Sequence, residues 1–207
     1  WELIFFYNAS TYKPPEIIHD FSHDSSQIRG LHEERQGKGI AVKRGMLAAQ
    51  GQYRFMCDAD LSMPIKEVNR FLPPQLESVG LAIASREAAG AIRYDEPYYR
   101  HLGGRVINTL SRLLILPGLQ DTQCGFKCFS AEVAKDLFLH QTLAGWSFDI
   151  EILAIARLRG YRIVEIPIPW YFNPETKLSA FQDALKMFMD ILMVRRNIRQ
   201  GVYEPKN

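Results

Sequence analysis

"YRFMCDADLSMP", residues 53–64, is the stretch on which the fold turns. Tyr53 to Cys57 are of strand-forming type, and the run stops at Asp58 and Asp60, two carboxylates one residue apart. Carboxylates are seldom buried without a partner, so the pair belongs at the strand's end rather than inside it. Two hard oxygen ligands at i and i+2, on a chain that bends there, suit Mg2+ or Mn2+, above all when a substrate phosphate completes the shell. A helix-capping Asp with a solvated neighbour is the alternative. Ser62 can cap a helix from Pro64 to about Leu72, which Pro73 and Pro74 stop.

Strand and helix alternate on both sides of this stretch. "LIFF" (3–6) reads as a buried strand, "PEIIHDF" (15–21) as a short helix begun by proline, and "IRGLH" (28–32) as a brief strand. "GKGIAVKRGMLAAQG" (37–51) gives an Ala/Gly-faced helix closed by Gly51. "VGLAIAS" (79–85) is strand-like again. This order predicts βαβ units and an α/β fold with a mainly parallel sheet flanked by helices. Ligands of such sheets lie beyond the strands' carboxyl ends, where Asp58, Asp60, Ser85 and Arg86 all fall.

The second half changes character. "RHLGGRVINTLSRLLILPG" (100–118) is amphipathic, with Leu102, Val106, Leu110, Leu113 and Leu114 on one arc and Arg105, Asn108 and Arg112 on another. A core helix with an arginine-bearing solvent face accounts for it, as does an interfacial helix whose arginines meet lipid phosphates. "FDIEILAIARLRG" (148–160) is a helix ended by Gly160, followed by the strand "YRIVEIPI". The last helix, "AFQDALKMFMDILMVRRNIRQG" (180–201), carries Phe181, Leu185, Phe188 and Leu192 on one face. Its terminal arginines also complement the helix dipole.

A net charge of +2 gives no reason to expect a nucleic-acid partner. Residues 98–118 nevertheless carry three arginines and no acid, and Arg195, Arg196 and Arg199 cluster. Such patches suit phosphate-bearing partners, though a solvated helix face is the commoner reading. Cys57, Cys124 and Cys128 match no zinc or redox spacing and read as reduced thiols of a cytosolic-type environment. No apolar run reaches bilayer-spanning length. The five histidines fall in no metal or triad spacing, and hydrolase-elbow and zinc-protease motifs are missing.

Three further stretches carry candidate chemistry. "QGKGIAVKRG" sets Gly37, Gly39 and Gly45 around Lys38 at a helix start, which serves either diphosphate contact or tight helix packing. "DTQCGFKCF" (121–129) is a polar turn leading into an aromatic strand. "WSFDIE" puts Asp149 and Glu151 at a helix start, as dipole partners or as pocket acids.

Together "GKGIAVKRGMLAAQGQYRFMCDADLSMP", "DTQCGFKCF", "WSFDIEIL" and "PWYFNPETKL" resemble family 2 glycosyltransferases of the GT-A, Rossmann-like fold. The chain is most similar to dolichyl- or polyprenyl-phosphate β-glucosyltransferases, over almost its whole length, as a single domain (1–207). The resemblance implies that Asp58 and Asp60 hold Mg2+ or Mn2+ on a nucleotide sugar, UDP-glucose being favoured. Gly37 and Lys38 would lie beside the nucleotide and Arg86 would face the donor. Arg100 and Arg105 would meet a polyprenyl or dolichyl phosphate from an interfacial helix, and Lys177 would meet a phosphate as well. The implied reaction is inverting hexose transfer to that lipid phosphate, at the cytoplasmic face of a membrane, with the chain peripheral. Asp149 aligns with the base-bearing region of the superfamily.

The resemblance has departures. The family's opening strand has no counterpart here, and "YNAS" (7–10) stands where the family has D-D-G-S, leaving Asn8 as the donor contact. Ser62 stands where mannosyl synthases place a metal-contacting glutamine. Transfer to a sugar hydroxyl, with Asp149 as obligatory base, and a non-catalytic module that only binds are the competing functions.

Overall fold

The computed structural model describes residues 1–8, 14–173 and 180–204. Lys177, the second half of "YNAS" and most of "NPETKL" fall outside the described residues, as do the side chains of Asn8, Arg100 and Phe181. Strand β1 (Leu3–Asn8) crosses over through helix α1 (Pro14–Asp24) to β2 (Ile28–Glu33), which pairs with it in parallel, Leu3 opposite Ile28. Proline at the first helical position of α1 costs nothing, since its amide would lack an intrahelical partner anyway. Helix α2 (Lys38–Ala48) then leads to β3 (Tyr53–Cys57).

A central four-stranded sheet has the order β3, β6 (Phe126–Ser130), β4 (Leu81–Ser85), β7 (Ile163–Pro167). Strand β4 runs parallel to β7, whereas β6 is antiparallel to both its neighbours. A further parallel pair joins β5 (Ile92–Tyr94) to β8 (Pro169–Tyr171). Among the described residues three of the five pairings are thus parallel, as the alternating pattern predicts.

Every residue of β4 is buried, and its alternate side chains enter two cores. Leu81 and Ile83 pack in the same core as Phe129 and residues of helices α4 (Ala131–His140) and α5 (Phe148–Leu158), while Ala82 and Ala84 join Phe71, Phe126 and Cys128. Helix α5 is buried continuously from Phe148 to Ala156, which explains its apolar residues on every side. It ends at Gly160, whose φ of +73° permits the closing bond from the Tyr161 N–H to the Ala156 carbonyl at 2.9 Å.

Several local expectations are corrected. Helix α2 stops at Ala48, not Gly51, because the Glu2 carboxylate takes the Gln50 and Gly51 amides at 2.6 and 3.2 Å and draws the chain away. Ser62 caps nothing. Its amide bonds to Asp60 Oδ1 at 3.0 Å, Leu61 sits at a φ of +58°, and only a 3-10 helix (Ile65–Phe71) follows Pro64. Helix α4 escaped the sequence reading, although its signal was present: the Ser130 hydroxyl accepts the Val133 amide as an N-cap.

The two amphipathic helices are turned differently from the arcs read in the sequence. On α3 (Tyr98–Leu114) the buried residues are Ile107, Asn108 and Ser111, whereas Leu102, Val106 and Leu113 are exposed. Asn108 therefore faces inward, contrary to its placement with the arginines. On α6 (Ala180–Arg199) the core takes Ala184, Met187, Ile191, Val194 and Ile198, leaving Leu185, Met189, Leu192 and Met193 exposed. Among the described residues no helix is long and apolar enough to cross a membrane.

Candidate active site

The end of β3 and the start of β6 bring the aspartates and the D-T-Q-C-G-F-K stretch together. Cys57 is in register with Phe126, and the Asp58 amide donates to the Gly125 carbonyl at 3.0 Å. A Cβ on Gly125 would lie 1.9 Å from Asp58 Oδ2, so only glycine leaves room for that carboxylate. Lys38, first residue of α2, places its ammonium 2.7 Å from Asp58 Oδ1 and 2.9 Å from Oδ2, and 5.2 Å from the centre of the Trp146 ring. Burial acts to lower the Lys38 ammonium's pKa, but the fields of Asp58, Asp149 and Asp60 outweigh it and hold it above its ordinary value.

Beneath this pair lies a second, sealed one. Lys127, in the middle of β6, donates to Asp149 Oδ1 and to the Cys124 carbonyl, both at 2.6 Å. Its side chain is 1% exposed and that of Asp149 is 4%. Burial raises the Asp149 carboxyl above its usual range, with Lys127 and Lys38 pulling the other way. Glu151, one turn-start residue further on, is structural: it accepts the Thr142 and Leu143 amides and the Tyr203 hydroxyl.

The turn between Gln120 and Gly125 is fixed from three elements. Arg86, just past β4, grips Asp121 with Nε at 2.7 Å and Nη2 at 3.0 Å, and Trp170 stacks on the guanidinium at 5.6 Å. Glu165 of β7 accepts the Gln120 and Asp121 amides at 2.7 and 2.9 Å. Asn108 of α3 accepts the Thr122 amide and hydroxyl at 3.2 and 3.1 Å and donates to the Gln120 carbonyl. Arg86, expected to face the donor, pairs here with Asp121 through two of its nitrogens. The reason is charge balance, because a buried carboxylate left alone would cost several kcal/mol.

Gly37 and Gly39 have a packing role. Gly37 adopts a φ of +144°, and a Cβ there would meet the Ala144 carbonyl oxygen at 2.3 Å. The Gly39 and Ile40 amides both donate to that oxygen, so these helix-start N–H groups are spent on the protein itself. Lys38 is left as the cation that this segment offers to the site. Asp60 and Arg105 are both exposed. Arg105 does not line the small polar cleft of about 50 Å³ in which Arg86 and Arg93 meet the carboxylates of Glu87, Glu96 and Asp121. The structure therefore gathers Asp58, Lys38 and Asp149 with Asp60 nearby, and sets Arg86 in the frame behind them.

Two accessible carboxylates, one already drawing a lysine ammonium onto both its oxygens, form a donor set that fits Mg2+ or Mn2+. Lys127, Asp121, Asn108 and Glu165 were not singled out from sequence. Lys127 had a signal: a lysine inside the otherwise apolar run "GFKCF" demands a buried partner.

A mixed α/β sheet with a carboxylate pair at a strand end, backed by this framed turn, defines a GT-A type glycosyltransferase fold. The chain belongs to glycosyl transferase family 2, whose profile matches residues 1–138. It is 32% identical over 190 residues to a dolichyl-phosphate beta-glucosyltransferase of Dictyostelium discoideum, an alignment covering 88% of this chain and 58% of that protein. A Trichomonas vaginalis dolichyl-phosphate beta-glucosyltransferase is 30% identical over 215 residues, covering all of this chain and 63% of the relative. The chain thus spans about three fifths of the length of these relatives. Glucosyl-3-phosphoglycerate synthase of Mycobacterium tuberculosis, in complex with Mn2+, UDP-glucose and glycerol 3-phosphate, superposes with a TM-score of 0.61 at 19% identity, over 94% of this chain and 68% of that one.

Proposed function

We propose that this chain transfers glucose, with inversion, from UDP-glucose to a dolichyl or polyprenyl phosphate. The family and the relatives' named activity support the reaction class. One observation carries the choice of acceptor: Asp149, the candidate base, is sealed against Lys127 at 2.6 Å. A sugar hydroxyl must lose a proton as it attacks and needs such a base. A phosphomonoester, with a second pKa of about 6, is already largely dianionic at neutral pH and needs none. A raised carboxyl pKa would suit a base, but here Oδ1 is held by the Lys127 ammonium and the side chain is only 4% exposed.

In this reading Asp58 and Asp60 hold the divalent cation, which supplies charge neutralisation to the leaving diphosphate. Lys38, released from Asp58, turns to the same diphosphate as a charge-assisted donor. Gly37 sets the helix start from which Lys38 reaches. Arg86 keeps the D-T-Q-C-G turn in place and, with Asn8, borders the donor. Arg100 and Arg105 on α3 and Lys177 clamp the acceptor phosphate. Asp149 orients, through Lys127, the floor on which Asp58 rests. The exposed apolar residues Leu102, Val106 and Leu113 lay α3 on the membrane surface, with the chain peripheral at its cytoplasmic face.

A donor screen with polyprenyl phosphate in detergent tests the proposal. UDP-glucose is expected to give metal-dependent transfer that Asp60→Ala abolishes. Transfer only to a sugar hydroxyl, or none with any donor, contradicts it. Asp149→Asn leaves Lys127 without its counter-charge and should lower stability. The folded variant is nevertheless expected to retain transfer to lipid phosphate, and loss of turnover with donor binding intact would make Asp149 a true base.

A further inference from the structure

At the far end of α5 from Asp149, about 12 Å along the helix at 1.5 Å per residue, the C-terminal turns of α3, α5 and α6 converge on a second cleft. Its volume is about 390 Å³, within the range of small-ligand sites. Leu114, Ile115 and Leu158 contribute apolar wall, and Arg157, Arg195 and Arg199 reach into it. No carboxylate lines it, and among the described residues none of the three guanidiniums has a carboxylate partner. The Arg157 guanidinium donates to the Pro117 carbonyl.

Compensation of helix dipoles accounts for only part of this charge. Each helix C-terminus carries roughly half a negative charge, so three of them offset about half of three arginines. The remainder is unopposed positive charge on an apolar floor. Leu113 of α3 and Leu192 and Met193 of α6 are exposed apolar residues outside the cleft's lining. A ligand that matches has a singly or doubly charged phosphate joined to a hydrocarbon body.

We infer that this cleft binds the phosphate headgroup of an anionic membrane phospholipid, apart from the sugar-transfer site and distinct from its acceptor. The lipid source rests on the membrane placement of α3 proposed above, whereas the cleft's charge and shape do not. Bound there, the headgroup would meet Arg157, Arg195 and Arg199 while the acyl chains follow the apolar residues of α3 and α6 outward. Such a site would hold the domain in one orientation on the bilayer, since α3 would then be fixed at both ends.

Co-sedimentation with vesicles of pure phosphatidylcholine, and of phosphatidylcholine with phosphatidylglycerol, tests the inference without donor or acceptor. The parent chain is expected to prefer the phosphatidylglycerol vesicles, and Arg195→Gln/Arg199→Gln to lose most of that preference, on the order of tenfold. The double variant should still bind phosphatidylcholine as the parent does. Arg162→Gln/Arg196→Gln removes the same charge from exposed positions outside the cleft and should keep most of the preference. If both double variants lose it equally, diffuse surface charge is responsible and the site is refuted. If inorganic phosphate binds the parent by calorimetry while phosphatidylglycerol gives no preference, the ligand is a free phosphate and the lipid assignment is wrong. Failure to bind either vesicle would overturn the membrane placement and the lipid site together, leaving the donor screen to judge sugar transfer separately.

Discussion

Two lysine–aspartate pairs lie one above the other in this domain, and their difference separates working parts from frame. Lys38–Asp58 and Lys127–Asp149 are almost equally short, 2.7 and 2.6 Å. The first has side chains 20% and 30% exposed, the second 1% and 4%. Solvent reaches the upper pair, so its ammonium can exchange for another cation at small cost. The lower pair has no such exchange open to it, because either charge left alone would be stranded in the core. Distance alone would have called them the same interaction.

The sharpest way to break the comparison is to strand the buried charge. Lys127→Met should destabilise the domain by about 3–5 kcal/mol, read as a lower urea midpoint, and adding Asp149→Leu should restore much of the loss. An unchanged midpoint for the single variant would remove Lys127–Asp149 from the frame. Asp121→Asn comes next, at about 3 kcal/mol, because Arg86 loses its counter-charge. Burial alone would raise the Asp121 carboxyl, but the Arg86 guanidinium outweighs it and holds the group well below the usual range. A depressed carboxyl adds stability that is present in full above its unfolded value of about 4 and is lost as pH falls below it. The acid limb of the stability profile should therefore be flatter in Asp121→Asn than in the parent.

At the upper pair the effects should appear in binding rather than folding. Gly125→Ala puts a methyl group where Asp58 Oδ2 now lies and should weaken Mn2+ binding on the order of tenfold. Lys38→Met should change stability by less than about 1 kcal/mol, since its pair is partly solvated. Without nucleotide the same variant should bind Mn2+ more tightly, having lost the competing ammonium. Mn2+ titration followed by electron paramagnetic resonance reads both, and a Lys38→Met with weaker Mn2+ binding would make the lysine a helper of the metal rather than its rival.

Periodicity and punctuation carried most of the fold. The strand ending at Asp58, the buried "LAIAS" run and the glycine closing α5 are all local signals, and each is where the pattern puts it. The faces of α3 and α6 were not legible, because both helices have apolar residues on more than one side. Which side is core depends on Ile107, Ser111, Ile191 and Val194 meeting partners distant in sequence. The site divides in the same way. Asp58, Asp60 and Lys38 announce themselves by charge at element ends. Arg86 was visible but its partner was not, since Asp121 lies 35 residues later and is brought to it by the sheet. Asp121, Thr122 and Lys127 of D-T-Q-C-G-F-K have a task only once Arg86, Asn108 and Asp149 are set around them.

Metal-dependent donor binding tests the central claim most directly. Calorimetric titration of UDP-glucose into the chain, with Mn2+ and then with a chelator, and again on Asp60→Ala, isolates the carboxylate pair. The account predicts binding that requires Mn2+ and disappears in Asp60→Ala while the unfolding free energy stays within about 0.5 kcal/mol of the parent, as surface substitutions do. Binding of equal strength in the chelator, or in Asp60→Ala, would contradict it.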